Sequence, residues 1–296
     1  MTTTSEPPAP APGPRGTGPD VPHSAGDDWH SSSLIDGARA HPARVYDYWL
    51  GGKDNFTADR ALAERVIAAY PPIRDLAREN RTFLARAVRY AAEQGIRQFV
   101  DIGAGYPTTG DLPNTHQAAH QVAPQARVLY VDNDPIVVVH ARALLADENT
   151  TSALNGDLRD PKAILSHPEL RAAIDLTQPV AVLLIAILHF IRDEEDPYGI
   201  VDTLVDAMAP GSYLILSHGT PDFASPEAAA QGARLYDEHA SAPLVLRTRA
   251  QIERFLTRLE VVEPGLVRLP CWRPEGIVSK KLARISAYAA VGHKPT

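Results

Sequence analysis

The chain has 296 residues, 44% of them hydrophobic, a formal net charge of -7 and a single cysteine. This suits one large α/β domain, and an acidic balance with no Lys/Arg-rich run argues against a nucleic-acid groove. Cys271 on its own excludes an internal disulfide or a cysteine-built zinc cluster and fits a reducing, cytoplasmic setting; neither a leader nor a membrane span is expected from the apolar pattern.

Residues 1–33 are a Thr/Pro/Ala/Gly mixture with few large apolar side chains. Such a segment cannot bury enough surface to offset its ordering entropy, so a disordered tail is expected. Residues 34–94 are expected to form an N-terminal helical lid. Its first part is dense in aromatic and polar groups, with a short helix over residues 43–50 ending at Gly51. The Gly51-Gly52 turn should expose Lys53, Asp54 and Asn55, and loops of this kind tend to carry function. Trp49 and Phe56 are expected to anchor the helix in the core. Leu62, Val66 and Tyr70, then Leu76, Phe83, Leu84, Val88 and Ala91, recur at helical spacing, predicting helices over residues 59–70 and 73–94. Pro71 and Pro72 separate them. Arg74, Arg78, Arg86 and Arg89 read as a solvated face, with Asn80 and Arg81 as exceptions near a site.

Residues 95–296 are expected to form the core. A strand ends in Asp101-Ile102-Gly103-Ala104-Gly105, a pattern that brings backbone close to a ligand because glycine has no Cβ and tolerates positive φ. A dinucleotide site wants a third glycine where Thr108 stands, after Pro107. The loop therefore favours a ligand without a pyrophosphate, S-adenosylmethionine (SAM), whose ammonium would be met by carbonyls and by Asp101. A second strand ends in Asp132, followed by Asn133. An acid there can accept both ribose hydroxyls, while the alternative is a turn or cap before the helix at Pro135. The gap exceeds the usual ~20 residues, so an insertion over residues 109–121 is expected. His116 and His120 lie four apart there, but with no matching carboxylate they read as structural.

With SAM in place, Lys53 or Arg44 can pair with its carboxylate, and Tyr46, Tyr48 and Trp49 can face the sulfonium or the acceptor. Tyr46, Lys53 and Asn55 are the lid residues assigned to the site. A third strand over residues 151–154 precedes Asp157, which reads from the residues alone as an Asx-turn before Pro161. Residues 180–187 form a continuous apolar run, the mark of a central parallel strand. It leads into His189, the candidate base or acceptor contact, with a satisfied structural histidine as the alternative. A helix over 200–208, a strand over 212–217, a helical flap over 221–242 and a helix over 248–259 opened by Thr248 and Gln251 follow. Strands over 261–270 and 285–291 close the sheet as an antiparallel hairpin.

These blocks together resemble the bacterial SAM-dependent methyltransferases known as the S-adenosyl methyltransferase family, whose methyl acceptor is mostly unassigned. The likeness is carried by ARVYDYWLGGKDNF (43–56), GIRQFVDIGAG (95–105), VLYVDNDPIVVVHARALL (128–145), LLIAILHFI (183–191) and APGSYLILSH (209–218), and it runs from about Asp36 to the end. It implies a Rossmann-like class I fold, a seven-stranded, mostly parallel sheet with an antiparallel C-terminal hairpin. It also implies that Asp157 accepts from the adenine amino group while the Leu158 N–H meets a ring nitrogen. The expected activity is methyl transfer from SAM to an unidentified acceptor, leaning towards a small molecule. A SAM-binding regulator that transfers nothing is one alternative. An NAD(P)-dependent oxidoreductase is another, disfavoured by Thr108 and by the closing hairpin.

Overall fold

The computed structural model describes residue 1 and residues 37–108, 110–144 and 150–295. The expected tail, residues 1–33, lies outside them apart from Met1. Residues from Gly37 onward cluster as one unit.

Three helices come first: α1 (Pro42–Leu50), α2 (Thr57–Ala69) and α3 (Ile73–Glu93). His41 Nδ1 accepts the Ala43 N–H at the start of α1, and Gly51, at φ 88°, stops it, as the left-handed position there requires. Then follow β1 (Gln98–Ile102), α4 (Thr115–His120), β2 (Arg127–Asp132), α5 (Pro135–Leu144), β3 (Thr151–Asn155), α6 (Pro161–Ser166) and α7 (Pro168–Ala173). After them come β4 (Ala181–Ile185), α8 (Pro197–Ala207), β5 (Tyr213–Gly219), α9 (Pro226–His239) and α10 (Arg249–Glu253). The chain ends in β6 (Glu260–Val261), β7 (Val267–Arg268) and β8 (Ala287–His293).

The strands form one sheet in the order β3-β2-β1-β4-β5-β8-β6, with β7 also on β8. Pairs among β1 to β5 are parallel, and β8 runs antiparallel to β5, β6 and β7. The expected sheet is present, but its sixth strand is split into β6 and β7 and raises the total to eight strands. Pro264 and the positive-φ Gly265 lie between the pieces, where they break the ladder.

Strand periodicity builds the two cores. On β4, Ala181, Leu183 and Ile185 face the cluster that holds α3 and α4, while Val182 and Leu184 face the cluster that holds α6 to α8. All five residues are buried, as the continuous apolar run requires. A third cluster joins α1, α2 and α9 through Trp49, Leu62, Val66 and Tyr236. Ala40 bridges to Ala240, tying the start of the helical segment to the end of α9.

Two expectations on these helices need correction. Phe56 is 40% exposed, because its backbone caps α2 and its ring lies under the Arg44 guanidinium instead of entering the core. Arg86 is buried, not solvated: it pairs with Glu79 at 2.9 Å and donates to Trp272 O at 3.0 Å. Both partners are themselves buried or main-chain groups, so the charge keeps its hydrogen bonds away from water.

Candidate active site

The parallel strands deliver their carboxyl ends to one edge, and the order reverses between β1 and β4. Ligands of open α/β sheets sit at such a switch point. Gly103 and Gly105 stand there at φ 73° and 65°. The Gly103 and Ala104 N–H groups both donate to Val131 O, at 2.8 and 3.2 Å. A Cβ on Gly103 would lie 2.6 Å from the Ile187 side chain, so close approach as well as conformation demands glycine.

Asp132 ends β2 and fastens this loop. Its Oδ2 accepts the Gly105 N–H at 2.9 Å, and its Oδ1 accepts the Asp134 N–H at 2.9 Å. Both readings of Asp132 therefore fit, since the second bond is an Asx-turn and each carboxylate oxygen keeps a lone pair for a further donor. Burial pushes its carboxyl up to about 6, against the backbone hydrogen bonds that pull it down.

Asn133 and Asp157 meet across β2 and β3, with Asn133 Nδ2 donating to Asp157 Oδ2 at 3.3 Å. Arg159 also holds Asp157 through Nε at 2.9 Å and Nη2 at 2.7 Å. Burial works to raise the Asp157 carboxyl, but these hydrogen bonds and the Arg159 charge hold it below its ordinary value. The Leu158 side chain is buried in the core, and its N–H has no partner among the described residues. Asp101 is buried and accepts from Thr115 Oγ1 at 2.6 Å through Oδ2, while its Oδ1 has no hydrogen-bond partner among the described residues.

The lid residues divide. Tyr46 donates to Ala77 O at 2.9 Å and accepts from Asn80 Nδ2 at 3.0 Å. Asn80 Oδ1 in turn accepts from Ser217 Oγ at 2.7 Å, and Ser217 Oγ accepts the Ala186 N–H at 3.0 Å. One hydrogen-bonded chain thus runs from α1 through α3 to the ends of β5 and β4. Ala186 has a positive φ of 53°, an uncommon conformation for a residue with a Cβ and one that marks functional sites. Asn55 is a loop clamp: its Nδ2 donates to Asp47 Oδ2 at 2.7 Å and to Gly52 O at 3.1 Å. Lys53 is exposed on the same loop. Arg44 is buried, 3.1 Å from Asp59 and 3.2 Å from Asp134. His116 and His120 have structural partners, Tyr130 Oη at 2.8 Å and Ala126 O at 2.9 Å.

His189 sits in a short turn after β4. Its Nδ1 accepts the Gly219 N–H at 3.4 Å, which places the ring proton on Nε2. Burial, then the nearby Arg247 charge, lowers it to about 3. It is a neutral hydrogen-bond donor and a poor base. Sequence reading missed Arg247, whose buried guanidinium donates to Leu188 O and Ile191 O, both at 2.9 Å, and to Asp193 at 2.6 Å. It braces the turn that carries His189. No local pattern marks Arg247, since its side-chain hydrogen-bond partners lie 29 to 59 residues away.

A cavity opens beside this turn, between α1, α2, α3 and α9 on one side and the ends of β4 and β5 on the other. Its cavity volume is about 130 Å³. Tyr46, Trp49, Asn80, Ala186, His189 and Tyr236 are among its walls. Its apolar lining suits a small organic molecule.

The sequence matches the family described as S-adenosyl methyltransferase over residues 28–295. A candidate methyltransferase of Thermobifida fusca YX is 40% identical, with 91% of this chain and 100% of that one covered and a TM-score of 0.82. A DUF574 family protein of Streptomyces avermitilis is 45% identical, with 88% and 100% covered and a TM-score of 0.81. No match was found among curated proteins. A glycine loop with an acid-fastened second strand, an apolar cavity at the same sheet edge, and a family match over nearly all the described residues lead to one assignment: the chain belongs to the S-adenosyl methyltransferase family and is a SAM-dependent methyltransferase of class I fold.

Proposed function

We propose that the methyl acceptor is a small molecule and that it occupies the cavity under the helical lid, whose described part is residues 37–94. The observation that carries this is that cavity and glycine loop are neighbours across the turn after β4. Ala186 and His189 line the cavity, and Ile187 between them is the side chain that touches Gly103. A donor lying along the glycine turn would present its methyl group at that junction.

The residues fit SAM. Asp132 takes the ribose hydroxyls with its spare lone pairs. Asp157 and the unpaired Leu158 N–H take the adenine edge, with Asn133 holding Asp157 in place. Gly103 and Gly105 let the methionyl part lie against the main chain, and Asp101 Oδ1 is available to its ammonium. Arg44 is held by Asp59 and Asp134, so Lys53 is the lid cation assigned to the carboxylate. Asn55 acts through the shape of the loop, and Tyr46 borders the acceptor. When bound, SAM supplies an electrophilic methyl carbon that the acceptor's lone pair attacks, the carbon–sulfur electron pair staying on sulfur and the acceptor's proton passing to water. The protein's part is to align the two and to exclude solvent. His189 donates from Nε2 and takes no proton.

The reading extends to a bacterial cytoplasmic enzyme, supported by the single cysteine and by the bacterial origin of both similar structures. Among the described residues no helix is long and apolar enough to cross a membrane.

Calorimetric titration with SAM, S-adenosylhomocysteine (SAH) and NAD tests the cofactor assignment. Both sulfur ligands should bind and NAD should not. Asp132→Ala should abolish measurable SAH binding; an unchanged affinity would remove Asp132 from the ribose.

A further inference from the structure

The chemistry of the cavity wall says what kind of acceptor it takes, provided the cavity is the acceptor site. Among the described residues no Asp, Glu, Lys or Arg lines it. Its two histidines are neutral. His218 is locked, with Nδ1 against Gly219 O at 2.7 Å and Nε2 accepting from Arg247 at 3.2 Å, and burial holds it well below its ordinary value. Arg247 itself lies behind His218 and is matched by Asp193 and by main-chain carbonyls. A charged group entering here would lose its hydration without meeting an opposite charge, which is strongly unfavourable.

The walls are instead aromatic and aliphatic. The Phe190 and Tyr236 rings lie 5.7 Å apart, tilted by 31°, and Phe190 packs on His189 at 4.4 Å. Most polar groups in the wall are already saturated: Tyr46, Asn80 and Ser217 bond to one another and to the main chain. Two are not. Ser286 Oγ is buried with no hydrogen-bond partner among the described residues, in a residue 8% exposed. Tyr236, 3% exposed, has no hydrogen bond to its hydroxyl from any described residue. Buried polar groups are rarely left unpaired in folded proteins, and both residues are among the walls of one cavity, Tyr236 from α9 and Ser286 from the segment before β8.

We propose that the methyl acceptor is an uncharged, flat and mostly apolar molecule, an aromatic alcohol or amine in its neutral form, whose polar groups are met by Tyr236 Oη and Ser286 Oγ.

The test is calorimetry on the full chain saturated with SAH, titrated separately with naphthalene, naphthol, naphthoate and naphthylmethylammonium. Naphthol should bind at least about tenfold more tightly than either charged analogue. The double variant Tyr236→Phe/Ser286→Ala keeps the ring contact with Phe190; it should lose about tenfold in naphthol affinity while its naphthalene affinity stays the same. Equal or tighter binding of a charged analogue to the wild type overturns the proposal, and needs no variant. So does an unchanged naphthol affinity in the double variant, or the failure of every probe to bind. The SAH titration that precedes these additions reports separately: no SAH binding would sink the donor-site reading, whereas SAH binding without the charge discrimination would sink only the acceptor class.

Discussion

Arg44 Nη1 of the first helix lies 3.2 Å from Asp134 Oδ2, and the Asp134 N–H is bonded to Asp132 at 2.9 Å. The helical segment is therefore latched to the turn that holds Asp132, the acid proposed to take the ribose. His41 Nδ1 adds a second approach to Asp134 at 3.4 Å, and Arg44 also reaches Asp59 on α2. Closing this segment and shaping the second-strand turn are one structural event.

Arg44→Met should therefore cost both stability and donor affinity. Removing the cation leaves two buried carboxylates without a counter-charge, a loss of about 3–5 kcal/mol by the usual cost of breaking a buried pair. Urea unfolding gives the first quantity and SAH titration the second. A loss below about 1 kcal/mol, the range of exposed pairs, would mean that the latch is not formed in solution.

Donor affinity should depend on pH through Asp132. Burial raises its carboxyl to about 6, and only the ionised form offers lone pairs to both hydroxyls beside the two N–H donors. SAH affinity should be full above about pH 7 and drop about tenfold by pH 5. The sign for the free protein is opposite. A carboxyl with a raised folded pKa stabilises the fold at low pH, and this contribution is lost as pH rises through about 6. The SAH-induced rise in melting temperature should therefore grow from pH 5 to pH 7, and a flat profile would contradict the assignment.

His189 should stay neutral across the working range. Its lowered value, about 3, and its Gly219 N–H bond leave no titration between pH 5 and 8. Its imidazole carbon-bound proton resonances should hold constant there in solution NMR. A midpoint near the ordinary value for histidine, about 6.5, would restore it as a base.

Gly103→Ala should destabilise in two separable ways. A left-handed position costs about 1–2 kcal/mol for a residue with a Cβ, and the contact 2.6 Å from Ile187 adds overpacking of about 1–3 kcal/mol. Adding Ile187→Ala should recover the second part and leave the first. Additive losses in a denaturation cycle would show that the two residues do not touch.

Much of this protein is legible in its sequence because the signals are local. The apolar run of β4, the helical stripes of α2 and α3, Gly51 as a stop and the Asp-x-Gly-x-Gly loop each depend on backbone preference and period within a few residues. These placed Asp132, Asp157 and the glycines at one sheet edge, and Trp49 in the core. The division of the sixth strand was written in Pro264-Gly265 and could have been read there.

What only the tertiary structure decided is how polar groups pair across the fold. Arg44 finds Asp134 across 90 residues, and Ser217 finds Asn80 across 137. Asn55 and His189 look alike as exposed-loop and strand-end polar residues; one turned out to clamp its own loop and the other to be desolvated against Gly219 and Arg247. Hydrogen-bond partners and burial are properties of the closed chain, so the charge state of a histidine, and the uncharged lining that the described residues give a cavity, arise only when distant segments meet. Sequence alone placed the glycine loop and Asp132 at the ends of β1 and β2; the packing of α1, α2 and α9 over β4 and β5 decided what can lie beside them, because that packing brings distant apolar side chains, with Tyr236 and Ser286, around one space.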